Sequence, residues 1–389
     1  MILWMLLILA LLAAALLVWL GWRVSNGVLV PKPYGLMAEF EIVDVERDGE
    51  GDGAYRVVLP AKEQPSQFSD VRKQGVYNLL WEDGYGRLGP PMSDDGETVT
   101  RRLQGVVGEP PKSGDAARLD VTIFRRDPLL DHGIPFEELE LVGEAGKLCA
   151  WWIESHPKRA VLALHGRRRA DLTESLRILP TLVEQDWSVL ALAYRNHDSS
   201  DPSPDGLFHY GASEADDALV AVGELARRGV DEVLLLGFSM GGAVALEAAA
   251  RWPQGAPRLT GIVLDSPLLD PRTVIRRAVS ETGLPLPRRL ADLGLAIGSL
   301  RTGVDWDRLD QRRTAGSIEA PVLLIAGTAD HTIPISLVDE FAGEVTAPIE
   351  YLRLEGVDHV EGWNRVGPRY EQAVARFLGR LSTAEGAPD

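Results

Sequence analysis

Three residues whose types can act together in nucleophilic catalysis each follow a different apolar, strand-like run of this 389-residue chain. Ser239 comes after "EVLLLG", Asp330 after "PVLLIAG" and His359 after "IEYLRL". A serine hydroxyl becomes a good nucleophile when a base removes its proton, and His359 can serve as that base. Asp330 can hold the second imidazole nitrogen and stabilise the charge that develops on the ring. The types and their order therefore predict a Ser–Asp–His triad.

The stretch "VLLLGFSMGGAVALEAAA" passes from apolar β-formers to an Ala-rich helical pattern at Ser239. Gly237 and Gly241 lack side chains, which lets a strand and a helix approach closely on either side of a tight turn. The backbone N–H of Met240 would then point at a developing oxyanion, helped by the helix N-terminus. A second N–H is expected from Arg167, in the loop after "AVLAL". The alternative interpretation is a tight connection that happens to contain serine.

The elements that must position these residues begin at about residue 129. There, apolar runs such as "AVLAL", "SVLALAY" and "GIVLD" alternate with amphipathic helical patterns, after a strand pair in "FEELELV" and "KLCAWWIES". Continuously apolar strands separated by helices predict an α/β fold with a mostly parallel sheet covered by helices on both faces. In such sheets function lies in the loops at the carboxyl ends of the strands. We assign residues 129–384 to this domain and residues 385–389 to a flexible tail.

The part of the chain from residue 129 to about residue 381 resembles the α/β-hydrolase family, especially single-chain serine hydrolases of the esterase and acyl-peptidase type. The motifs that carry the resemblance are "LHGRRR", "AYRNHDSS", "LLLGFSMGGAVAL", "PVLLIAGTADHTIP" and "EGVDHVEGW". It implies a triad of Ser239, Asp330 and His359 and an oxyanion hole from the amides of Met240 and Arg167. Family members often have glycines at the positions of Asn196 and Asp198, which leaves the conformation of that loop open. Residues 268–315 are too long for a plain connection and are expected to form a small helical cap.

Other residues compete for some of these roles. Asp265 ends the strand "GIVLD", but Asp330 is favoured because its strand comes after the nucleophile strand and lies next in sequence to the strand of His359. Asp265 is then expected to cap or hydrogen-bond locally. His331 is expected to be a loop residue, and His165 to hold the oxyanion loop rather than act as a second base.

Neither a metal nor a cofactor is predicted. His165, His331 and His359 do not share the spacing of helical zinc ligands. The basic run of Arg167, Arg168 and Arg169 can grip a substrate carboxylate or phosphate, or lie solvated in its loop.

Composition limits the class of protein. The formal net charge of −17 argues against a nucleic-acid partner, which requires clustered Lys and Arg. Cys149 is the single cysteine, so the chain forms no intrachain disulfide and the redox compartment stays open.

The N-terminal run "MILWMLLILALLAAALLVWLGW" contains no charged side chain and is long enough to span a bilayer. Tryptophans near its ends, Trp19 and Trp22 among them, favour the membrane interface. We predict a transmembrane helix over residues 1–24, an uncleaved anchor rather than a signal peptide, since it lacks a basic start. Arg23 and Lys32 follow the span, which favours a cytoplasmic body and leaves the opposite side open.

Between the anchor and the α/β domain, residues 30–128 contain short strand-like runs separated by Gly, Pro, Asp and Ser clusters. They predict a small β-rich domain. Because the triad motifs begin far downstream, the globular body is expected to need none of the anchor. A chain that begins near Val28 should then be soluble and fully active on short esters.

Together these observations predict a membrane-anchored serine hydrolase that cleaves carboxylic esters or thioesters, with a small-molecule or lipid-like acyl substrate. Cleavage of short or acylated peptides is the alternative chemistry. A full β-propeller of the oligopeptidase kind does not fit into residues 30–128. The alternative of a different class is a non-catalytic scaffold that binds partners through the β-rich domain. The sequence does not indicate the oligomeric state.

Overall fold

The structure is a computed structural model that describes residues 2–31, 38–49, 53–61, 70–167, 171–197 and 199–383. Several residues used in the predictions lie outside the described residues: Met1, Lys32, Arg168, Arg169, Asp198 and the tail 385–389.

The N-terminal apolar run forms one long helix, α1 (Ile2–Leu29). It is the one described helix that is long and apolar enough to cross a membrane, a test that a signal sequence near the N-terminus also passes. The side chains of residues 2–19 are exposed, whereas Gly21, Ser25 and Leu29 are buried. The helix therefore ends five residues beyond the predicted boundary, and its last turns contact the rest of the protein.

The β-rich region forms a seven-stranded sheet in which every neighbouring pair of strands is antiparallel. The spatial order is β1-β7-β4-β5-β6-β3-β2. Side chains in the first half of β6, residues 98–103, alternate between half-buried and buried, which is typical of a sheet with one face on a core. The strands are β1 (Phe40–Glu41), β2 (Asp44–Arg47), β3 (Tyr55–Pro60), β4 (Tyr77–Trp81), β5 (Gly84–Asp94), β6 (Thr98–Gly108) and β7 (Ala116–Asp120).

A second sheet of eight strands has the order β15-β14-β13-β12-β10-β11-β9-β8. The strands from β10 to β15 pair in parallel, whereas β8 and β9, which the sequence predicts as a strand pair, form an antiparallel hairpin. The sheet is therefore mixed but mostly parallel. Its strands are β8 (Glu137–Gly143), β9 (Gly146–Ile153), β10 (Arg159–Leu164), β11 (Ser188–Leu192), β12 (Glu232–Phe238), β13 (Arg258–Asp265), β14 (Val322–Gly327) and β15 (Ile349–Leu354).

Helices cover both faces of the second sheet, which confirms the predicted fold class. Along β12, Val233 and Leu235 enter one apolar core and Leu234 and Leu236 enter the other. Burial on both faces explains why these strands read as continuously apolar in the sequence. Helices α4, α5 and α8 contribute to the first core, and α3 and α9 to the second. The helices are α2 (Pro128–His132), α3 (Leu179–Glu184), α4 (Glu214–Arg227), α5 (Met240–Ala250), α6 (Pro271–Ser280), α7 (Pro287–Thr302), α8 (Ile335–Glu344) and α9 (Gly362–Thr383).

Helices α6 and α7 lie between β13 and β14, within the segment predicted to be a cap. Asp270 accepts a hydrogen bond from the Arg272 amide and so caps the start of α6. Gly303, at φ 72°, ends α7 in the left-handed region that glycine adopts without strain.

The last turns of α1 pack on α7. A Cβ added to Gly21 would lie 2.6 Å from Leu293 Cγ, and one added to Gly294 would lie 2.4 Å from Val24 Cγ1. Small residues thus allow the two helices to approach closely. The Arg301 guanidinium also donates to Ser25 Oγ at 2.9 Å. This contact differs from the sequence interpretation of a body that is separate from its anchor, because glycines scattered in an apolar run do not reveal which partner they face.

Candidate active site

Ser239 occupies the turn between β12 and α5 with φ 49° and ψ −113°, a strained conformation for a residue with a side chain. Glycine is required on both sides of it. A Cβ added to Gly237 would lie 2.4 Å from the Gly241 carbonyl oxygen, and one added to Gly241 would lie 2.1 Å from the Leu164 carbonyl oxygen. The turn therefore presents the serine at the carboxyl end of β12, as the sequence predicts from the glycine positions.

His359 lies in the loop between β15 and α9 and contacts both other predicted triad members. Its Nε2 lies 2.9 Å from Ser239 Oγ, and its Nδ1 lies 2.8 Å from Asp330 Oδ2. In the tautomer that fits this geometry, the serine hydroxyl donates to Nε2 and the Nδ1–H donates to the carboxylate. The structure thus brings the three residues into one hydrogen-bonded line, and a base placed in this way can remove the serine proton.

Asp330 follows β14 and is buried. Its Oδ1 accepts hydrogen bonds from the amides of Thr332 and Ile333, each at 2.7 Å, which leaves Oδ2 to face His359. The two amides fix the carboxylate, so the imidazole that it holds is also fixed in orientation.

The pKa of His359 is raised above its ordinary value. Burial, the largest single influence, lowers the pKa of this imidazole, but the charge and hydrogen bond of Asp330 together with the charges of Asp265 and Asp358 outweigh it. A raised pKa makes the neutral ring a stronger base for the serine proton.

Asp265, the competing candidate, has other partners. Its carboxylate accepts hydrogen bonds from the hydroxyls of Ser266 and Tyr370, each at 3.0 Å. Its backbone carbonyl accepts from the Ser239 amide at 2.9 Å. Burial raises the pKa of this carboxyl. The bond to Ser266 is the local contact that the sequence interpretation expected, while the contacts with Tyr370 and with the serine turn were not predicted.

The loop after β10 lies directly beside the serine. A Cβ added to Gly166 would lie 3.3 Å from Ser239 Cβ. The Gly166 amide donates to Glu174 Oε2 at 2.6 Å, so it is already engaged. The amides of Arg167 and of Met240, the first residue of α5, stay the candidate oxyanion donors at this position.

The Arg167 side chain has a role that the sequence did not indicate. Its guanidinium donates at 2.8 Å to the Val28 carbonyl and to the Tyr210 hydroxyl, and that hydroxyl donates to the same carbonyl at 2.7 Å. The candidate oxyanion loop is thereby tied to the last turn of α1. No sequence signal could have shown this contact, since its acceptor is a backbone carbonyl.

The remaining predicted histidines lie near the site without joining the hydrogen-bonded line. His165 stacks on Tyr194 with ring centroids 4.1 Å apart, and the Tyr194 hydroxyl donates to the His165 carbonyl. Burial holds the pKa of His165 well below its ordinary value. His331 is half exposed, and its Nδ1 lies 3.2 Å from Asp358. Across the described part of the chain, no group of three or more His, Cys, Asp or Glu side chains could hold a metal ion.

The loop of Asn196 and Asp198, where the sequence departs from the glycines common in the family that it resembles, is described except for Asp198. Asn196 has φ 66° and binds Ser203 and the Leu207 carbonyl through its amide group. Asparagine tolerates this left-handed backbone better than most residues do, which explains how it can stand at a position where glycine is common.

Two parts of the chain match known families. Residues 160–291 match a family described as alpha/beta hydrolase fold, and residues 42–120 match one described as a domain of unknown function (DUF8805). The first match includes Ser239, and the second covers most of the seven-stranded sheet.

The chain is 31% identical over 196 residues to an uncharacterized protein of Mycobacterium tuberculosis, a match that covers 49% of this chain and 59% of that protein. It is 28% identical over 158 residues to a multifunctional-autoprocessing repeats-in-toxin of Vibrio cholerae, covering 36% of this chain and 3% of the toxin. The chain thus spans only part of the curated relatives that it matches.

A structure of an esterase from Pyrococcus furiosus superposes on this chain with a TM-score of 0.52 at 22% identity. The superposition covers 66% of this chain and 97% of the esterase chain. The two proteins therefore share a fold over about two thirds of this chain.

Proposed function

We propose that this protein, in which residues 137–383 form an α/β-hydrolase domain, is a membrane-anchored serine hydrolase that cleaves carboxylic esters or thioesters. The observation that carries the proposal is the line of contacts from Ser239 Oγ to His359 Nε2 and from His359 Nδ1 to Asp330. Esterase activity in a protein of the same fold is consistent with it.

In the proposed reaction, Ser239 Oγ attacks the acyl carbonyl while His359 Nε2 takes the hydroxyl proton. Asp330 stabilises the imidazolium that results, and the amides of Met240 and Arg167 bind the oxyanion of the tetrahedral intermediate. The imidazolium then returns the proton to the leaving alcohol or thiol, which leaves an acyl group on the serine. Water, activated by the same imidazole, attacks the acyl-enzyme and releases the acid.

Membrane attachment through α1 is the second part of the proposal. Cleavage after the apolar run would remove Gly21, which fits against α7, and would cut into the last turns of α1, which place Leu29 fully buried in the core of the hydrolase domain. These contacts favour a retained anchor. The tryptophan side chains of Trp19 and Trp22 are about half exposed, as expected for residues at a membrane interface.

The same contacts suggest a lipid-like acyl substrate. Arg167 binds the carbonyl of Val28, which lies six residues after Trp22 and so about 9 Å further along the helix axis. The proposed site is thus close to the end of the helix that would leave the bilayer. Acyl esters dissolved in the membrane would meet it at high local concentration.

A fluorophosphonate probe and a series of p-nitrophenyl esters of rising chain length test this function. The full chain in vesicles should label at Ser239 and hydrolyse the esters, while aminoacyl amides in parallel test for peptidase chemistry. Ser239→Ala should abolish labelling and lower kcat by about a million-fold without changing the fold. Activity within about tenfold of the parent protein would contradict the assignment. A parent protein that neither labels nor turns over would favour the binding scaffold instead.

A further inference from the structure

The loop that precedes β4 in the seven-stranded sheet reaches the loop that carries His359. Lys73 Nζ lies 2.6 Å from Glu361 Oε1 and 3.2 Å from Asp358 Oδ2, although these residues are more than 280 positions apart in the chain. The two carboxylates flank His359 in the sequence "DHVE". A cation from one sheet is therefore paired with both acidic neighbours of the histidine in the other domain.

This cluster is buried. The side chains of Lys73, Asp358 and Glu361 are 10%, 5% and 1% exposed. Burying a carboxylate is costly unless a charge partner and hydrogen bonds compensate, and removing one partner leaves the other charge unpaired. Among the described residues, Lys73 supplies the cation that both carboxylates share. The conformation of the histidine loop thus depends on a residue outside the hydrolase domain.

Asp358 transmits this contact to the histidine. Its Oδ1 accepts hydrogen bonds from the backbone amides of His359, at 2.7 Å, and of His331, at 3.1 Å, while its Oδ2 faces Lys73. His331 directly follows Asp330. The Asp358 carboxylate therefore joins the loop of His359 to the loop of Asp330. Lys73 binds the other oxygen of that carboxylate.

Further hydrogen bonds join the seven-stranded sheet to the hydrolase domain next to this cluster. The Tyr77 hydroxyl donates to Glu361 Oε2 at 2.9 Å. The Asn364 side chain donates to the carbonyls of Val76 and Val121, and the Val76 amide donates to the Asn364 carbonyl. A Cβ added to Gly75 would lie 2.3 Å from that carbonyl oxygen, so glycine is needed for the close approach.

The loop that carries Lys73 is itself fixed from within the sheet. Arg101 of β6 is fully buried, and its guanidinium donates to the carbonyls of Val71, Lys73, Gly75 and Gly89 at 2.6 to 3.1 Å. A rigid support of this kind is what a positioning contact requires, because a mobile loop could not hold a partner to a fraction of an ångström.

We propose that Lys73 is a positioning residue for His359, and that the seven-stranded sheet acts as a clamp on the histidine loop without which the active site is incomplete. The proposal rests on the function proposed above and assigns a role to the region that matches the domain of unknown function. Lys73 does not touch the reacting atoms. It acts through Asp358, so its loss misplaces the base while leaving the substrate-binding surface in place.

The test compares Lys73→Met, Lys73→Arg and Arg72→Met in the full chain in vesicles. Arg72 is the matched control because it is the neighbouring cation of the same loop, but its partners Asp94, the Ala61 carbonyl and the Gly96 carbonyl all lie within the sheet domain. The readouts are kcat and KM for p-nitrophenyl butyrate, the rate of fluorophosphonate labelling and the melting temperature.

Lys73→Met should lower kcat and the labelling rate by about ten- to a hundredfold, since a small misplacement of a catalytic group has effects of this size, and should change KM by less than about threefold. Lys73→Arg should recover most of the loss, and Arg72→Met should stay within about threefold of the parent protein. If Lys73→Met does not fold, Tyr77→Phe replaces it and should lower kcat by about fivefold, the value of one hydrogen bond.

Unchanged kcat in the folded Lys73 or Tyr77 variant of an active parent protein would overturn the clamp alone. An equal loss in Arg72→Met would also overturn it, because the effect would then come from the stability of the sheet domain. A parent protein that neither labels nor hydrolyses esters would overturn the proposed function and the clamp together.

Discussion

The end of α1 and the seven-stranded sheet both reach the proposed active site, but they contact different loops by different chemistry. Helix α1 offers the backbone carbonyl of Val28 to Arg167, in the candidate oxyanion loop. The sheet offers the side chain of Lys73 to the two carboxylates beside His359. Each of the two segments that precede the hydrolase domain thus contacts one half of the proposed catalytic site.

The two contacts differ in how strongly they depend on the residue type at each position. A backbone carbonyl is present whatever residue occupies position 28, so the α1 contact depends on where the helix ends and on the small residues that let it approach α7. The Lys73 contact depends on one cation, because the buried carboxylates need its charge. We therefore expect activity to be sensitive to single substitutions at the contact beside His359 (the histidine side). At the contact between α1 and the Arg167 loop (the oxyanion side), we expect it to be sensitive to truncation of the chain.

The largest expected effect tests whether the loop held by the sheet carries the base. Asp330→Asn should lower kcat for p-nitrophenyl butyrate by about ten-thousandfold, because the amide no longer orients His359 or stabilises its charge. Asp265→Asn is the matched control, since this residue binds Ser266 and Tyr370. It should lower kcat far less. If Asp265→Asn has the larger effect, Asp265 is the third member of the triad. The loop that the sheet contacts would then no longer hold the aspartate and histidine pair together.

The sequence predicts the hydrolase fold well because its central strands are buried on both faces, so their composition directly reflects the sheet. The turn at Ser239 was predictable because glycines flank the serine in the sequence. The contact that requires Gly237 is with Gly241, whereas the contact that requires Gly241 is with the Leu164 carbonyl of the neighbouring strand. Asp330 and His359 could be placed together because the carboxyl ends of parallel strands share one edge.

The supports from outside the domain could not be predicted. Lys73 is 285 positions from Asp358, and a lone lysine in a loop looks like any solvated charge. The α1 contact is hidden for a different reason, since glycines in an apolar run are equally consistent with a helix surrounded by lipid. Both contacts depend on how separate segments pack, which periodicity and local propensity do not encode.

A pair of truncations tests the α1 side. A chain that begins at residue 19 keeps Gly21, Val28 and Leu29 and should retain kcat for short esters. A chain that begins at residue 30 loses the carbonyl that Arg167 and Tyr210 bind, and with it the fully buried Leu29. We expect kcat to fall about tenfold and the melting temperature to drop, since burial of a leucine contributes about 2 kcal/mol.

This expectation replaces that of a body independent of its anchor. On vesicles, both truncated chains should lose activity on long-chain esters relative to the full chain, because neither is held in the bilayer. Full short-ester activity in the chain that begins at residue 30 would show that α1 is an anchor alone, and that only the sheet supports the site.

The smallest expected effect is on the pH dependence of the rate, which should respond to a charge removed near His359 but not to a neutral group removed near α1. In the proposed mechanism His359 acts as a base in its neutral form, so the rate should fall as the pH drops through its pKa. Although burial opposes it, the charge of Asp330 raises that pKa, so the midpoint of the acid limb should lie above about 6.5. Asp358→Asn removes a negative charge that also raises the pKa, while Glu361 still holds Lys73. The midpoint should therefore move to lower pH, by less than about one unit.

Tyr210→Phe, on the α1 side, removes a neutral hydroxyl that binds Arg167 and the Val28 carbonyl. It should lower kcat by no more than about fivefold and leave the midpoint unchanged. The measurement is kcat/KM from pH 5 to 9 for both variants, and equal shifts of the midpoint would mean that the two supports do not act on separate halves of the site.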